Sequence, residues 1–156
     1  MSATGKGSDG EMTAADPLAD YRVVLDQTVA WGDMDSFGHV NNVVYFRYFE
    51  NVRVEYFRRI GWWASMVDVG IGPIVSATQA RFRRPVAYPD TLRAGAKVEE
   101  IGPDRLTMRH VLVSRATGEI VTEGTAVVVT YDYRAKMKVA VPAELRRWIE
   151  DLERGV

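Results

Sequence analysis

Two carboxylates, a histidine and two asparagines are concentrated at residues 31–45, which read WGDMDSFGHVNNVVY. A helical pattern begins within this segment, and the first turn of a helix has free backbone N–H groups that favour developing negative charge. A carboxylate beside such donors can attack a carbonyl carbon, or activate water to do so, while the donors stabilise the oxyanion. The same residue types also form turns and helix N-caps, so the spacing alone leaves both interpretations open.

The rest of the chain must position this segment. Apolar residues recur at three- and four-residue steps from Asn42 to Ile60, which predicts a long amphipathic helix that ends before Gly61. A shorter helical turn is predicted from Trp62 to Val67, and a closing helix begins at Pro142. Alternating patterns and turn residues predict five strands, at 21–30, 74–84, 92–101, 106–115 and 120–131.

This order of elements predicts an α+β domain in which a sheet buries the apolar stripe of one long helix. Residues 1–17 are small, polar and rich in glycine, so we expect a disordered tail followed by a single domain at 18–156.

Composition limits the classes of function. The 156 residues suffice for one domain, and the chain contains no cysteine, which excludes disulfides, thiolate catalysis and cysteine-ligated metals. A net charge of −1 argues against nucleic-acid binding, and no apolar run is long enough to span a bilayer. No secretory signal is recognisable at the N-terminus, so we expect a cytoplasmic protein with no membrane or nucleic-acid partner.

The segment at 31–45 resembles the active-site segment of hotdog-fold thioesterases of the 4-hydroxybenzoyl-CoA thioesterase type. It is most similar to the branch that hydrolyses acyl-CoA and carries D-x-D-x-x-G-H-V-N-N-x-x-Y. The resemblance continues through Tyr48-Phe49-Glu50, Arg84 to Asp90 and Val141-Pro142, so it covers about residues 21–150. It implies a five-stranded antiparallel sheet wrapped around the long central helix, and hydrolysis of acyl-CoA to free acid and coenzyme A without metal or organic cofactor.

The resemblance also assigns catalytic roles. In the family the second acid of the D-x-D pair is the general base or nucleophile, which implies that role for Asp35 and leaves Asp33 to shape the loop. Asn42 stands where relatives place a histidine or an asparagine; it would orient water or the thioester, or cap the helix. His39 is a third candidate, with loop shaping as its alternative. Glu50 is the rival acid, because another hotdog branch uses a carboxylate on the central helix.

Several further residues are expected to hold the substrate. The candidates for direct contact are Val40, Asn41, Tyr45, Phe49, Glu50 and Arg84. Aromatic residues that would line an apolar tunnel are Tyr45, Phe49, Trp62, Trp63 and Tyr88. Cations that could contact the phosphates of coenzyme A are Arg81, Arg83, Arg84, Lys97 and Arg109, although for any one of them a solvated strand face is the simpler interpretation. His110 lies in an apolar alternation and is predicted to be packed and hydrogen-bonded.

The sequence leaves three further functions open. A hotdog hydratase or dehydratase acting on enoyl or hydroxyacyl thioesters is disfavoured, because His39 follows Asp35 by four residues and that group requires five. The second is a thioesterase acting on acyl carrier protein, and the third is a thioester-binding domain without activity. The family pairs subunits through the segment before Pro85, which implies a homodimer or homotetramer with acyl-CoA bound at the subunit interface.

Overall fold

The computed structural model describes residues 14–155. The predicted disordered tail therefore lies outside the described residues as far as residue 13. In the described part of that segment, the Asp16 carboxylate accepts two hydrogen bonds from the Arg93 guanidinium, each 3.2 Å long. Leu18 is buried in a small cluster with Val111 and Val113.

Six strands and three helices make up the described part of the chain. In chain order they are β1 (Val23–Thr28), α1 (Asn42–Arg59), α2 (Trp62–Val69), β2 (Ile71–Phe82), β3 (Thr91–Ile101), β4 (Arg105–Ser114), β5 (Ile120–Asp132), β6 (Met137–Lys138) and α3 (Ala143–Arg154). The sheet is antiparallel, in the order β1-β3-β4-β5-β2, and β6 pairs with the end of β5. The curled sheet packs against α1, so the predicted hotdog architecture is confirmed.

β2 and α2 differ from their predicted bounds in ways that have a physical reason. β2 begins at Ile71, three residues before its predicted start, and it contains Pro73. Because β2 lies at the edge of the sheet, its proline removes no hydrogen bond between strands in the middle of the sheet. The predicted helical turn is an eight-residue helix, α2, which is bounded by Gly61 and Gly70. Both glycines have φ near +80°, in the left-handed region where glycine is favoured.

α1 buries the predicted apolar stripe. Its most deeply buried apolar side chains, each at most 4 % exposed, are Tyr45, Tyr48, Phe49, Val52, Tyr56 and Phe57. The sheet faces them with small residues such as Ala96, Gly124 and Ala126, which allow the helix to lie close to the strands. On the outer side of α1, Glu55 pairs with Arg59, four residues further along the helix, at 2.9 Å.

α3 closes the core at the other end of α1. Leu145 and Ile149 are 1 % exposed, and the Tyr56 hydroxyl donates a 2.7 Å hydrogen bond to the Glu153 carboxylate. Among residues 14–155, none of the helices combines the length and the apolar character needed to cross a bilayer.

Candidate functional site

A small hairpin positions Asp35. Met34 and Val40 form an antiparallel bridge, and the Asp35 amide donates to the His39 carbonyl at 2.9 Å. The turn is closed by the Gly38 amide, which donates to the Asp35 carbonyl at 3.0 Å, and Gly38 has a φ of 78°. The Val40 amide donates to the Val86 carbonyl at 2.8 Å, which fixes the hairpin to the segment that follows β2. The sequence pattern D-S-F-G-H-V thus forms a turn that presents Asp35.

One oxygen of the Asp35 carboxylate belongs to this turn. Oδ1 accepts a 2.9 Å hydrogen bond from the Phe37 amide, an Asx-turn contact. The structure gives Oδ2 no protein donor within residues 14–155. Asp35 is half-buried, while Phe37 is 85 % exposed. The turn therefore holds the carboxylate by one oxygen and leaves the other available to a water molecule or a substrate.

The two asparagines at the start of α1 have different roles. Asn41 is the N-cap, because its side-chain oxygen accepts from the Val43 amide at 3.1 Å. Asn42 is exposed in the first helical position, and within the described residues its amide has no protein acceptor. The helix start therefore retains a free N–H group at Asn42, on the residue expected to contact the reacting thioester.

A cleft of about 280 Å³ opens beside the hairpin. It is lined by His39, Val40, Asn42, Tyr45, Phe82, Arg83, Arg84 and Pro85. The structure thus brings together five predicted site residues with the end of β2. Phe82 was not predicted as a site residue; its ring packs edge-on against that of Tyr45, with centroids 5.1 Å apart. The sequence signal for Phe82 is its place in the strand that leads to Pro85.

Four candidates do not line this cleft: Asp35, Asn41, Phe49 and Glu50. Phe49 is fully buried and packs against Gly124 and His110 in the core. Glu50 is exposed and pairs with Arg47 at 2.9 Å on the outer side of α1. Asp35 is joined to this cleft only through the hairpin, because its amide donates to the carbonyl of His39, which lines the cleft.

Asp33 shapes the loop through three contacts. Its Oδ2 accepts from the Ala30 amide at 2.9 Å and from the Tyr48 hydroxyl at 2.6 Å. Its carbonyl accepts from the Asn41 amide at 2.9 Å. Burial and the hydrogen bond to Asp33 raise the pKa of Tyr48, so its hydroxyl stays protonated and donates. The contact between Tyr48 and Asp33 was not predicted, although Tyr48 belonged to the predicted stripe.

The predicted cations lie in three places: Arg83 and Arg84 line the hairpin cleft, Arg83 also lines a second cleft, and Lys97 lies apart from both. Arg81, Arg83 and Arg109 line this second cleft, of about 450 Å³, on the outer face of the sheet beside β2. Arg83 pairs with Glu123 there, while Arg81 is exposed and has no ion-pair partner within residues 14–155. Lys97 instead lies over the Tyr21 ring, 5.0 Å from its centroid. Arg83 and Arg84, which follow the end of β2, are therefore the cations at the hairpin cleft.

His110 is packed but not hydrogen-bonded, so half of its prediction is wrong. Its ring stacks on Phe49 at 5.2 Å and is fully buried. Neither ring nitrogen has a hydrogen-bond partner in the part of the chain that the structure describes. The neighbours across the sheet, Ala96 and Gly124, have no polar side chain to offer. Burial, with a smaller effect from the Arg53 charge, lowers the pKa of His110 from 6.5 to about 3.

Comparison with known proteins identifies the family. The model of the thioesterase-like superfamily matches residues 29–149, and the chain belongs to this superfamily. The predicted resemblance to hotdog thioesterases is thereby confirmed.

Individual relatives agree with this family. The chain is 32 % identical to the uncharacterized protein YsmA of Bacillus subtilis over 102 residues, which is 65 % of this chain and 67 % of YsmA. It is 22 % identical to the long-chain acyl-CoA thioesterase FadM of Escherichia coli over 76 % of this chain and 90 % of FadM. A thioesterase from Thermus thermophilus, solved with coenzyme A and Zn, superposes with a TM-score of 0.78 at 26 % identity and covers 87 % of this chain and 97 % of that one.

Proposed function

We propose that this protein hydrolyses an acyl-CoA thioester to a free carboxylic acid and coenzyme A, with Asp35 as general base or nucleophile. The observation that carries the proposal is the free Oδ2 of Asp35, which is held in a turn whose other strand carries His39 and Val40 into a cleft at the start of α1. Relatives named as thioesterases, among them the acyl-CoA thioesterase FadM, support the reaction class.

The reaction would follow one of two routes at Asp35. As a general base, the carboxylate takes a proton from water, whose oxygen attacks the thioester carbonyl carbon. As a nucleophile, it attacks that carbon itself and forms a mixed anhydride, which water then hydrolyses. In both routes the carbon–sulfur bond breaks when the tetrahedral oxyanion collapses, and coenzyme A leaves as a thiolate that takes up a proton.

The start of α1 would stabilise the oxyanion. The Asn42 amide is free to donate, and the positive end of the α1 dipole favours negative charge at the same place. The side chain of Asn42 and the exposed imidazole of His39 line the cleft, where they would orient water or the thioester. Asn41 contributes through the cap that fixes the helix start.

Substrate would be held at both of its ends. Tyr45, Val40 and Phe82 offer apolar surface to the acyl group or to the pantetheine arm. Arg84 lines the same cleft and is 60 % exposed in its side chain, so it would reach a phosphate of coenzyme A. Arg81, on the neighbouring outer cleft, is a second candidate for that nucleotide.

We also propose that two or more copies assemble through β2. The outer edge of β2 has no strand partner within residues 14–155, and Ile74, Val75 and Phe82 on this strand are 40 %, 40 % and 46 % exposed. A long exposed apolar edge is the surface that proteins normally pair or cover.

Substitution of Asp35 tests the reaction. Asp35→Asn should lower kcat for acyl-CoA hydrolysis by about 10²–10⁴-fold, because the amide can act neither as base nor as nucleophile. Release of free thiol from a panel of aliphatic and aromatic acyl-CoA esters measures this rate. The matched control is Asp20→Asn, which removes an exposed carboxylate outside the hairpin and should keep full activity.

Two results would contradict the proposal. Wild-type protein that releases no thiol from any acyl-CoA, while binding it, would identify a binding domain. Asp35→Asn protein with wild-type kcat would remove Asp35 from the reaction. If acyl groups on acyl carrier protein are hydrolysed faster than acyl-CoA, the proposed substrate becomes acyl-acyl carrier protein. The proposed reaction, thioester hydrolysis at Asp35, then stays the same.

A further inference from the structure

We infer that the hydrogen bond between Tyr48 and Asp33 sets the position of the Asp35 carboxylate, so Tyr48 is a positioning residue for the reaction; this rests on the function proposed above. Tyr48 lies on α1, 15 residues from Asp33, and donates to Asp33 Oδ2 at 2.6 Å. Asp33 in turn lies two residues before Asp35.

The loop before Asp35 has little else to hold its side chains. Residues Trp31 to Asp33 form a short 3-10 turn in which no residue is buried, and Trp31 is 73 % exposed. Apolar packing therefore does not fix this turn to the core. The Asp33 carbonyl is bound by the Asn41 amide at 2.9 Å, which ties the backbone of the loop to the helix start.

The donor is rigid, and the hydrogen bond is short. Tyr48 is 2 % exposed and packs within the stripe that α1 buries against the sheet. A phenol that donates to a carboxylate at 2.6 Å forms a charge-assisted bond, which is stronger than a bond between neutral groups. The same Asp33 oxygen accepts from the Ala30 amide at 2.9 Å, so one atom joins the end of the β1 segment, the 3-10 turn and α1.

This link bears on catalysis because the reacting carboxylate must be placed accurately. A displacement of about 1 Å at a reacting group can cost about 100-fold in rate. Loss of the Tyr48 hydroxyl would remove the side-chain bond between α1 and the turn that precedes Asp35, while the cleft residues that contact substrate would stay in place. The expected signature is a fall in kcat with little change in KM.

The chain offers a matched control on the same helix. The Tyr56 hydroxyl donates to the Glu153 carboxylate at 2.7 Å, two turns further along α1 and away from the hairpin. Tyr48→Phe and Tyr56→Phe thus remove similar buried hydrogen bonds between a tyrosine and a carboxylate. Both substitutions should lower the melting temperature of the protein by a similar amount, but only Tyr48→Phe should affect the Asp35 loop.

The test is steady-state hydrolysis of one acyl-CoA by four proteins: wild type, Tyr48→Phe, Tyr56→Phe and Asp35→Asn. Tyr48→Phe should lower kcat by about 10- to 100-fold and leave KM within about twofold, and Tyr56→Phe should change neither. Equal kcat values for the two tyrosine variants, with Asp35→Asn inactive, would overturn the positioning role alone. Full activity of Asp35→Asn would overturn the proposed function, and the positioning role with it.

Substitutions at Asp33 give the same comparison if Tyr48→Phe does not fold. Asp33→Asn keeps an oxygen that can accept from the Tyr48 hydroxyl, whereas Asp33→Ala keeps none. Asp33→Asn should therefore retain most of kcat, and Asp33→Ala should lose it as Tyr48→Phe does. Equal activity of the two Asp33 variants would overturn the inference.

Discussion

At the scale of single residues, the buried ring of His110 makes the stability of this protein depend on pH. Its pKa falls from 6.5 to about 3 because the ring is buried against Phe49, with a smaller effect from the Arg53 charge. Between these two values the unfolded chain binds a proton that the folded chain does not. Stability therefore falls as the pH decreases from about 6.5 towards 3, with a slope of up to about 1.4 kcal/mol per pH unit.

Urea unfolding at pH 7, 6 and 5 measures this dependence. We expect His110→Met to lose less free energy of unfolding than wild type over this range, because the variant has no imidazole to protonate. Parallel curves for His110→Met and wild type would show that His110 does not titrate in this way.

The residue types in the sequence indicated the candidate site residues, but not the contacts between them. Asp35 and Asn42 stand out from their spacing before a helix, and the structure places them at a turn and at a free helix amide. The choice of Asn41 over Asn42 as the N-cap depends on where the helix begins, to within one residue. The bond from Tyr48 to Asp33 joins positions 15 residues apart through the path of the loop, which no local pattern records.

At the scale of elements, a glycine in β5 sets the distance between α1 and the sheet. A Cβ atom at Gly124 would collide with the Phe49 ring and would lie 2.7 Å from the backbone oxygen of Gln79. The ring can move, but the neighbouring strand cannot move without breaking its pairing with β5. We therefore expect Gly124→Ala to cost about 1–3 kcal/mol of stability through overpacking.

Chemical denaturation of Gly124→Ala and of a control glycine variant measures this cost. A methyl group on Gly32 would have no neighbouring atom within 4 Å, so Gly32→Ala should stay within about 0.5 kcal/mol of wild type. A Gly124→Ala midpoint equal to that of Gly32→Ala would show that α1 does not approach β5 as closely as described.

Periodicity and turn residues predicted the helices and the five long strands, and missed β6. α1 was expected at Asn42 to Ile60 and spans Asn42–Arg59, because its apolar stripe and the glycine after it are both strong signals. β2 begins earlier than expected because glycine and proline at its start are typical of turns, and only its place at the sheet edge makes them acceptable. β6 has two residues, too few for any alternating pattern.

At the scale of the whole molecule, the proposed assembly uses β2, the strand before Pro85 through which the family resemblance implies that subunits pair. Alternation along β2 does not show which strand lies at the edge; the strand order does. Phe82 packs against Tyr45 in the cleft, and Ala80 packs against the core, so substitutions there would disturb folding as well as assembly. Ile74 is 40 % exposed and lies at the other end of the strand from the cleft, which makes it the better probe.

Ile74→Lys should weaken assembly because it places charges where two copies of β2 would meet, and lysine on an edge strand opposes pairing. Light scattering with size-exclusion chromatography should show a dimer or tetramer for wild type and a shift towards monomer for the variant. Acyl-CoA hydrolysis should fall in parallel, since the proposed site lies beside this interface. Thr28→Lys places the same charge on an exposed residue of β1, the opposite edge strand, and should leave both mass and activity unchanged. A wild-type monomer that is fully active at assay concentration would contradict the proposed assembly.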